Sequence, residues 1–201
     1  MRTVHLFRMM AMAAVVTGSS LASGAAPKKK PAVVKAPPPP LPPVPTKPMP
    51  KVLSEVGERV TGVVLQATHV QTWRVASTGG LQPDKTRAIG TDFQREVAGK
   101  ELGETDLAAL RGVLFDEKSY RFDQDVSKCD FTPNLSFQMQ SGLDTVETLV
   151  SFKCAQVLYF IGKPGGRWLP AGTFDVKPAR AKLLTLAKGT MPQDPATQAL
   201  K

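Results

Sequence analysis

The chain has 201 residues and a formal net charge of +9 at pH 7, from 26 basic and 17 acidic side chains. Eight of the basic residues lie at or before position 51, whereas all 17 acidic residues follow it, so the remainder of the chain carries only +1. A nucleic-acid-binding domain normally carries its basic side chains on the folded surface. The composition therefore argues against a nucleic-acid partner, and the cationic segment fits contact with anionic surfaces or solubility.

Residues 1–26 have the organisation of a secretion signal. A basic start is followed by the apolar run Met9–Val16 and then by small residues. This pattern predicts a signal peptide that is cleaved after Ala22 or Ala26, and so a periplasmic or secreted bacterial protein. An uncleaved anchor is the alternative, but a membrane span needs about 20 apolar residues and this run is interrupted at Thr17–Ser20. After cleavage we expect no transmembrane span.

Residues 27–51 are rich in proline and lysine. Nine prolines lie between Pro37 and Pro50, and none of the residues in this stretch is aromatic. Proline fixes φ and removes amide donors, so the pattern predicts a disordered linker that favours polyproline II. We expect one domain over residues 52–191 and a flexible tail over residues 192–201.

The first regular elements of this domain are predicted from periodicity. Alternation over Val70–Ala76 predicts a strand, and Phe93–Val97 is a weaker second candidate. A helix is expected over Asp106–Phe115 with Thr105 as its N-cap, because apolar residues recur at helical spacing. Those apolar residues are Leu107, Leu110, Val113 and Leu114.

The strongest strand patterns lie between residues 134 and 161. Apolar and polar residues alternate from Leu135 to Gln140, which predicts a strand, and the composition of Ser141–Asp144 predicts a turn after it. In the next strand we expect Val146, Thr148, Val150, Phe152 and Cys154 on the packed face and Glu147, Leu149, Ser151 and Lys153 opposite. Val157–Ile161 is uniformly apolar, which favours a covered strand.

A closing helix is expected between Pro178, at a first-turn position, and Gly189, just past its end. Together these elements predict an α+β fold, in which a small antiparallel sheet (a meander) packs against two or more helices.

Cys129 and Cys154 are the two cysteines of the chain. In an oxidising compartment an even pair predicts a disulfide. Closing a loop of about 26 residues stabilises a fold by roughly 3 to 3.5 kcal/mol through the entropy of the unfolded chain. Two independent buried thiols are the alternative. A metal site is disfavoured, because His69 is the one histidine beyond the signal segment.

Three segments around these cysteines resemble a group of exported bacterial proteins that have no assigned activity. The segments are Asp116–Tyr120 (D-x-x-S-Y), Cys129–Pro133 (C-x-F-x-P) and Ser151–Cys154, where the group has C-F-x-C. The resemblance covers residues 88–160 and implies an exported domain without implying an activity. The departure at Ser151 removes one cysteine of a C-x-x-C pair, which argues against a metal or redox role.

Residues suited to acid–base or metal chemistry are few. His69 has Thr68 and Val70 as neighbours, and no serine lies in a nucleophile motif, so an ordinary surface histidine is favoured. The densest acidic stretch contains Asp116, Glu117, Asp123, Asp125 and Asp130. It can be read as a calcium site or as half of a hydrolase site, but interleaved basic residues favour a solvated loop with local ion pairs. We assign no catalytic, cofactor or metal residue.

Trp168 and its neighbour Arg167 are the candidate binding residues, because tryptophan and arginine are enriched in binding hot spots. Packing of Trp168 against the sheet is the alternative. The leading hypothesis is a non-enzymatic binding module on a proline-rich linker, with another envelope protein or a cell-wall component as partner. The alternatives are a small envelope hydrolase built from separated residues such as His69 and the acidic loop, and a structural tether acting through the basic linker. The oligomeric state is not predicted.

Overall fold

The computed structural model of the chain describes residues 45–80, 84–124, 126, 128–163 and 166–201. The expected signal peptide and most of the expected linker lie outside the described residues. The first described elements are two short helices, α1 (Pro50–Val56) and α2 (Glu58–Gln66), joined by Gly57 at φ 94°. Neither helix is predicted by the patterns above, and α1 begins just before the expected end of the linker.

Seven strands form one antiparallel sheet. They are β1 (His69–Ser77), β2 (Ala88–Ile89), β3 (Phe93–Glu101), β4 (Leu135–Ser141), β5 (Asp144–Ser151), β6 (Gln156–Gly162) and β7 (Leu169–Asp175). Their order in the sheet is β2-β3-β1-β4-β5-β6-β7. The remaining helices are α3 (Glu104–Leu114), α4 (Arg180–Thr190) and α5 (Pro195–Gln198), with 3₁₀ turns at Glu117–Ser119 and Lys177–Ala179.

The sheet is curled into a half-barrel. Neighbouring strands lie about 4.8 Å apart, so β3 and β6, four positions apart in the order, would be about 19 Å apart in a flat sheet. The ring centroids of Phe93 on β3 and Phe160 on β6 are nevertheless 6.2 Å apart. Arg95 on β3 likewise reaches Trp168, just before β7, at 5.4 Å from the ring centroid. These contacts lie on the concave face of the sheet, which we call the interior.

The convex face packs against the helices and forms the larger core. Large side chains buried there include Phe137, Tyr159, Leu110 and Leu183. Alternation along β5 places Val146, Thr148 and Val150 on this buried side of the sheet, as predicted, and Glu147 and Leu149 on the other. Glu147 and Leu149 are themselves fully buried, because they point into the interior and not to solvent.

The predicted fold class is wrong. The structure has a seven-stranded sheet that dominates the fold and curls into a half-barrel, where a small meander packed on helices was expected. The strands that were not predicted, β2 and β7, are the two edges of the sheet. Strand β2 has only two residues, and β7 begins with the exposed pair Leu169 and Pro170. Edge strands that lack a regular buried face give no clear sequence pattern.

The local predictions within the sheet are largely confirmed. Strands occur at Val70–Ala76, at Phe93–Val97 and in three stretches between residues 135 and 162, with Gly142 in the predicted turn. The strand expected to reach Cys154 ends at Ser151, and Cys154 lies in the turn that follows. Helix α3 buries its four predicted apolar residues, but its N-cap is Gly103 in place of Thr105. Helix α4 continues through Gly189 to Thr190.

The segment after residue 191, expected to be a flexible tail, contains α5 and is attached to the sheet. Asp194 caps this helix by accepting hydrogen bonds from the amide and hydroxyl of Thr197 at 2.9 and 2.7 Å. Its other carboxylate oxygen accepts from Arg74 on β1 at 2.8 Å. Both Asp194 and Thr197 are buried, so this end of the chain is part of the folded domain.

The predicted disulfide between Cys129 and Cys154 is confirmed. It joins the loop that precedes β4 to the tight turn between β5 and β6, where Ser151 Oγ accepts a hydrogen bond from the Cys154 amide at 3.3 Å. Across the described ranges, no helix has the length and apolar character that a membrane crossing requires.

Candidate functional site

The candidate site is a groove at the open side of the half-barrel. It lies between the β2–β3 margin of the sheet and β6–β7, and its volume is about 830 Å³. Ligand sites are typically mostly apolar clefts of about 300–1,000 Å³ with a few placed polar groups. The groove therefore has the size and position of a ligand site.

The walls of the groove are apolar and largely aromatic. On one side Phe93 packs edge-on against Phe131 and Phe160, with ring centroids 6.0 and 6.2 Å apart. Apolar side chains that line the groove are Phe93, Phe131, Leu158, Phe160, Trp168, Leu169 and Pro170. Leu169 is 43% exposed, so part of this surface faces solvent.

Charged side chains lie at the rim. Lys85, Asp92 and Arg167 line the groove and are exposed. Among the described residues none of the three has an ion-pair partner. The rim consequently carries two uncompensated positive charges and one negative charge.

A buried ion pair lies in the interior next to the groove. Arg95 is 6% and Glu147 0% exposed, and two hydrogen bonds of 3.2 and 2.6 Å join the guanidinium to the carboxylate. Ser136 on β4 donates a third hydrogen bond to Glu147 at 2.5 Å. Arg95 also donates to the carbonyl of Thr86 at 3.3 Å. Because each polar atom of the pair has a partner, the two charges are held in one geometry.

Both tryptophans of the chain pack on this guanidinium. The Arg95 guanidinium carbon lies 5.9 Å from the ring centroid of Trp73 and 5.4 Å from that of Trp168. Trp73 also donates from its indole nitrogen to Gln138 at 3.2 Å. Cation–π contacts of this kind orient the indole rings, so the buried pair fixes the inner wall of the groove.

Two glycines permit the aromatic walls to approach the backbone. A Cβ at Gly162 would lie 2.9 Å from the ring of Trp168 and 2.8 Å from the Arg167 carbonyl. Gly90, at φ 64°, would place a Cβ 3.0 Å from the ring of Phe160. A side chain at Gly162 would displace the ring of Trp168, and one at Gly90 would displace the ring of Phe160. A side chain at Gly90 would also be strained by its backbone conformation.

The disulfide borders the groove as well. Phe131 lies two residues after Cys129, in the loop that the bond to Cys154 holds against the β5–β6 turn. Asn134 strengthens this attachment, because its side-chain oxygen accepts a hydrogen bond from the Phe152 amide at 3.0 Å. The covalent link that stabilises the fold also positions one aromatic wall.

The predicted binding residues Trp168 and Arg167 both line the groove. Trp168 is half-buried, with part of its ring on the sheet and part on the groove, and Arg167 is exposed. Two other large aromatic residues lie elsewhere. Tyr120 and Tyr159 are buried in the convex core, with their hydroxyl oxygens 2.8 Å apart.

No contact among the described residues joins His69 to the acidic loop, the two parts of the hydrolase hypothesis. His69 is exposed and its Nδ1 lies 2.6 Å from Glu101 Oε1 on the neighbouring strand. In the acidic stretch, Asp116 caps a 3₁₀ turn through the Lys118 amide, and Asp123 pairs with Lys51 at 2.8 Å. Asp125 lies outside the described residues. Over the part of the chain that the structure describes, no three His, Cys, Asp or Glu side chains are grouped as a metal site.

A second groove, of about 280 Å³, lies between β3 and the end of α4. Its lining includes Val97, Gly99 and Met191, with Lys100 and Asp194 as charged members. Asp194 is already engaged by Arg74 and Thr197. This groove therefore offers fewer groups for recognition than the larger one.

Several residues of the larger site were not predicted. The pattern of β5 placed Glu147 and Leu149 on the face opposite the packed one, with nothing to indicate that this face is also covered, and Arg95 and Lys85 had no distinguishing context. A signal was present in β6, where Leu158 and Phe160 are apolar on the face opposite Tyr159. Both faces of that strand therefore had to be buried against other parts of the protein.

Comparison with protein-family models, curated proteins and solved structures finds no significant match to this chain.

Proposed function

We propose that this chain is an exported, non-enzymatic binding module and that the groove between β2–β3 and β6–β7 is its ligand site. The observation that carries the proposal is an aromatic-lined groove whose inner wall is fixed by a buried and fully hydrogen-bonded ion pair. Sites of this kind bind without rearrangement, because their side chains are already ordered before the ligand arrives.

Export is supported by the signal-like pattern of residues 1–26 and by the disulfide, since such bonds persist in oxidising compartments. The partner is then a component of the bacterial envelope, either a protein or a cell-wall or lipid component.

Binding has more support than hydrolysis because Trp168 and Arg167 line the aromatic groove, whereas His69 contacts Glu101 and neither of these two residues lines the groove.

The test is co-sedimentation of the purified protein with bacterial envelope and cell-wall fragments, at low and raised salt. A version that begins at residue 45 removes the basic linker but keeps α1 and the hydrogen bond from the Met49 amide to the Phe115 carbonyl. Leu169→Asn alters the groove at a partly exposed position. Leu143→Asn is the matched control, since Leu143 is 77% exposed at the β4–β5 turn and does not line the groove.

We expect sedimentation to survive both truncation to residue 45 and raised salt, and to fall in Leu169→Asn but not in Leu143→Asn. If sedimentation instead requires the linker and is released by salt, the tether hypothesis replaces this one. If the two leucine variants behave alike, the groove is not the site.

A further inference from the structure

We infer that the groove takes a free, single-chain carboxylate, with its apolar chain between the aromatic walls and its carboxylate at the rim near Lys85 and Arg167. This inference rests on the proposed function of the groove and names the chemical class of its ligand. Three observations carry it: the composition of the walls, the charge of the rim and the scarcity of polar groups between them.

The walls favour an apolar moiety. The lining includes the aromatic side chains Phe93, Phe131 and Trp168, together with Leu169. Burial of apolar surface stabilises a complex by about 25 cal/mol per Å² before the losses of association are counted. A chain or ring laid along these side chains gains this stabilisation without needing partners for polar atoms.

The rim favours a single negative charge. Lys85 and Arg167 contribute two positive charges and Asp92 one negative charge, and no described residue pairs with any of them. The net charge of +1 matches a monoanion. An arginine can donate two parallel hydrogen bonds to the two oxygens of a carboxylate, so Arg167 is the group that distinguishes a carboxylate from an uncharged head.

The lining argues against a carbohydrate ligand. A sugar presents many hydroxyl groups, each of which needs a partner when it is desolvated. The uncharged polar side chains that line the groove are Thr91 and Thr173, and the charged ones are exposed. Two hydroxyl groups offer few partners to a sugar ring, whereas an alkyl chain requires none.

The test is titration of the purified protein with dodecanoate, dodecanol and butyrate, followed by tryptophan fluorescence and by calorimetry. Fluorescence reports on the groove because the two tryptophans of the chain both pack on Arg95, and Trp168 lines the groove. We expect dodecanoate to bind with a change in fluorescence, dodecanol to bind more weakly and butyrate not to bind.

Charge reversal at the rim distinguishes the contribution of the carboxylate head to the affinity from that of the apolar chain. In the double variant Lys85→Glu/Arg167→Glu, we expect dodecanoate affinity to fall by about tenfold, as two exposed charge contacts become repulsive, while dodecanol affinity is unchanged. Lys182→Glu, an exposed position on α4, is the control and leaves both affinities unchanged. In the opposite direction, Asp92→Asn strengthens dodecanoate binding.

Three results overturn the inference. Equal affinity for dodecanoate and dodecanol removes the role of the rim but leaves an apolar ligand in the groove. No binding of either, together with Leu169-dependent sedimentation of envelope fragments, rejects the ligand class while the proposed function stands. Sedimentation with anionic phospholipid vesicles in place of dodecanoate binding also rejects it, in favour of a bilayer surface.

Discussion

Arg95 and Glu147 form a bidentate ion pair even though their strands, β3 and β5, are separated in the sheet by β1 and β4. The contact exists because the sheet curls, and it in turn holds two of the curled strands together. Ser136, on the intervening strand β4, donates to the same carboxylate. The pair therefore links the curvature of the sheet to the order of the groove beside it.

We expect Glu147→Ala to lower the free energy of unfolding by about 3–5 kcal/mol, because it leaves the Arg95 charge buried without its partner. Urea unfolding followed by circular dichroism measures the change. Asp144→Ala is the matched control on the same strand, since it breaks the exposed pair with Arg59 and should lower stability by less than about 1 kcal/mol. Equal losses in the two variants would show that the buried pair has no special role.

The two tyrosines should remain protonated in the folded protein well above pH 10. Burial raises the pKa of Tyr120 well above its ordinary value of 10.0, and burial likewise raises the pKa of Tyr159. Their stabilising contribution is thus fully present below pH 10 and is lost as the pH rises further. Absorbance at the phenolate band checks this, because the chain has only these two tyrosines. In urea both tyrosines should titrate near their ordinary pKa of 10.0. Titration near pH 10 in the absence of urea would contradict the burial of the two hydroxyl groups.

Asp194 should make stability depend on acid pH. Burial acts to raise its pKa, but the hydrogen bonds from Thr197 and the charge of Arg74 outweigh burial, so the pKa lies below its ordinary value of 3.8. The stabilisation is present above that ordinary value and is lost as the pH falls through the lower pKa of the folded state.

The measurement for Asp194 is urea unfolding of the wild type and Asp194→Asn between pH 6 and pH 2.5. The difference in unfolding free energy should be largest at pH 6 and shrink below about pH 4. Asp123→Asn, at an exposed carboxylate paired with Lys51, is the control and should show little difference at any pH. A constant difference for Asp194→Asn would place its role in packing instead of charge.

Loss of the disulfide should affect both stability and the groove. Because its cysteines are 25 positions apart in the chain, the double variant Cys129→Ser/Cys154→Ser should lose roughly 3.5 kcal/mol of unfolding free energy. Because Phe131 is held by the same loop, we also expect weaker sedimentation with envelope fragments under conditions in which the variant is folded. Phe131→Ala with the disulfide intact is the comparison. If it lowers sedimentation while the cysteine variant does not, the bond has no part in positioning this wall.

The sequence predicted the elements that have one clear buried face. The alternation from Leu135 to Val150 and the helical spacing of Leu107 and Leu110 both reflect packing on the convex core. The disulfide followed from an even cysteine count. Such features are local, so a window of about ten residues contains the information needed to recognise them.

The curl of the sheet and the composition of the groove could not be predicted in this way. They depend on contacts between residues far apart in the chain, such as Arg95 with Glu147, 52 positions apart. The sequence placed Glu147 on the face opposite the packed one, and a charged residue in such a position is usually solvated. Only the long-range pairing of β3 with β1 brings Arg95 to where it neutralises that carboxylate.

Alternation along β4, β5 and β6 assigns neighbouring residues to opposite faces of one sheet, one face packed on helices and the other turned to the interior. On β6 the interior face includes Leu158 and Phe160, which line the groove. Under the proposed function, a substitution at Leu158 alters ligand contacts, while Val157 and Tyr159, on either side of it, continue to maintain the fold. Ligand binding and stability then depend on different residues of the same strand, so one can be altered without first changing the other.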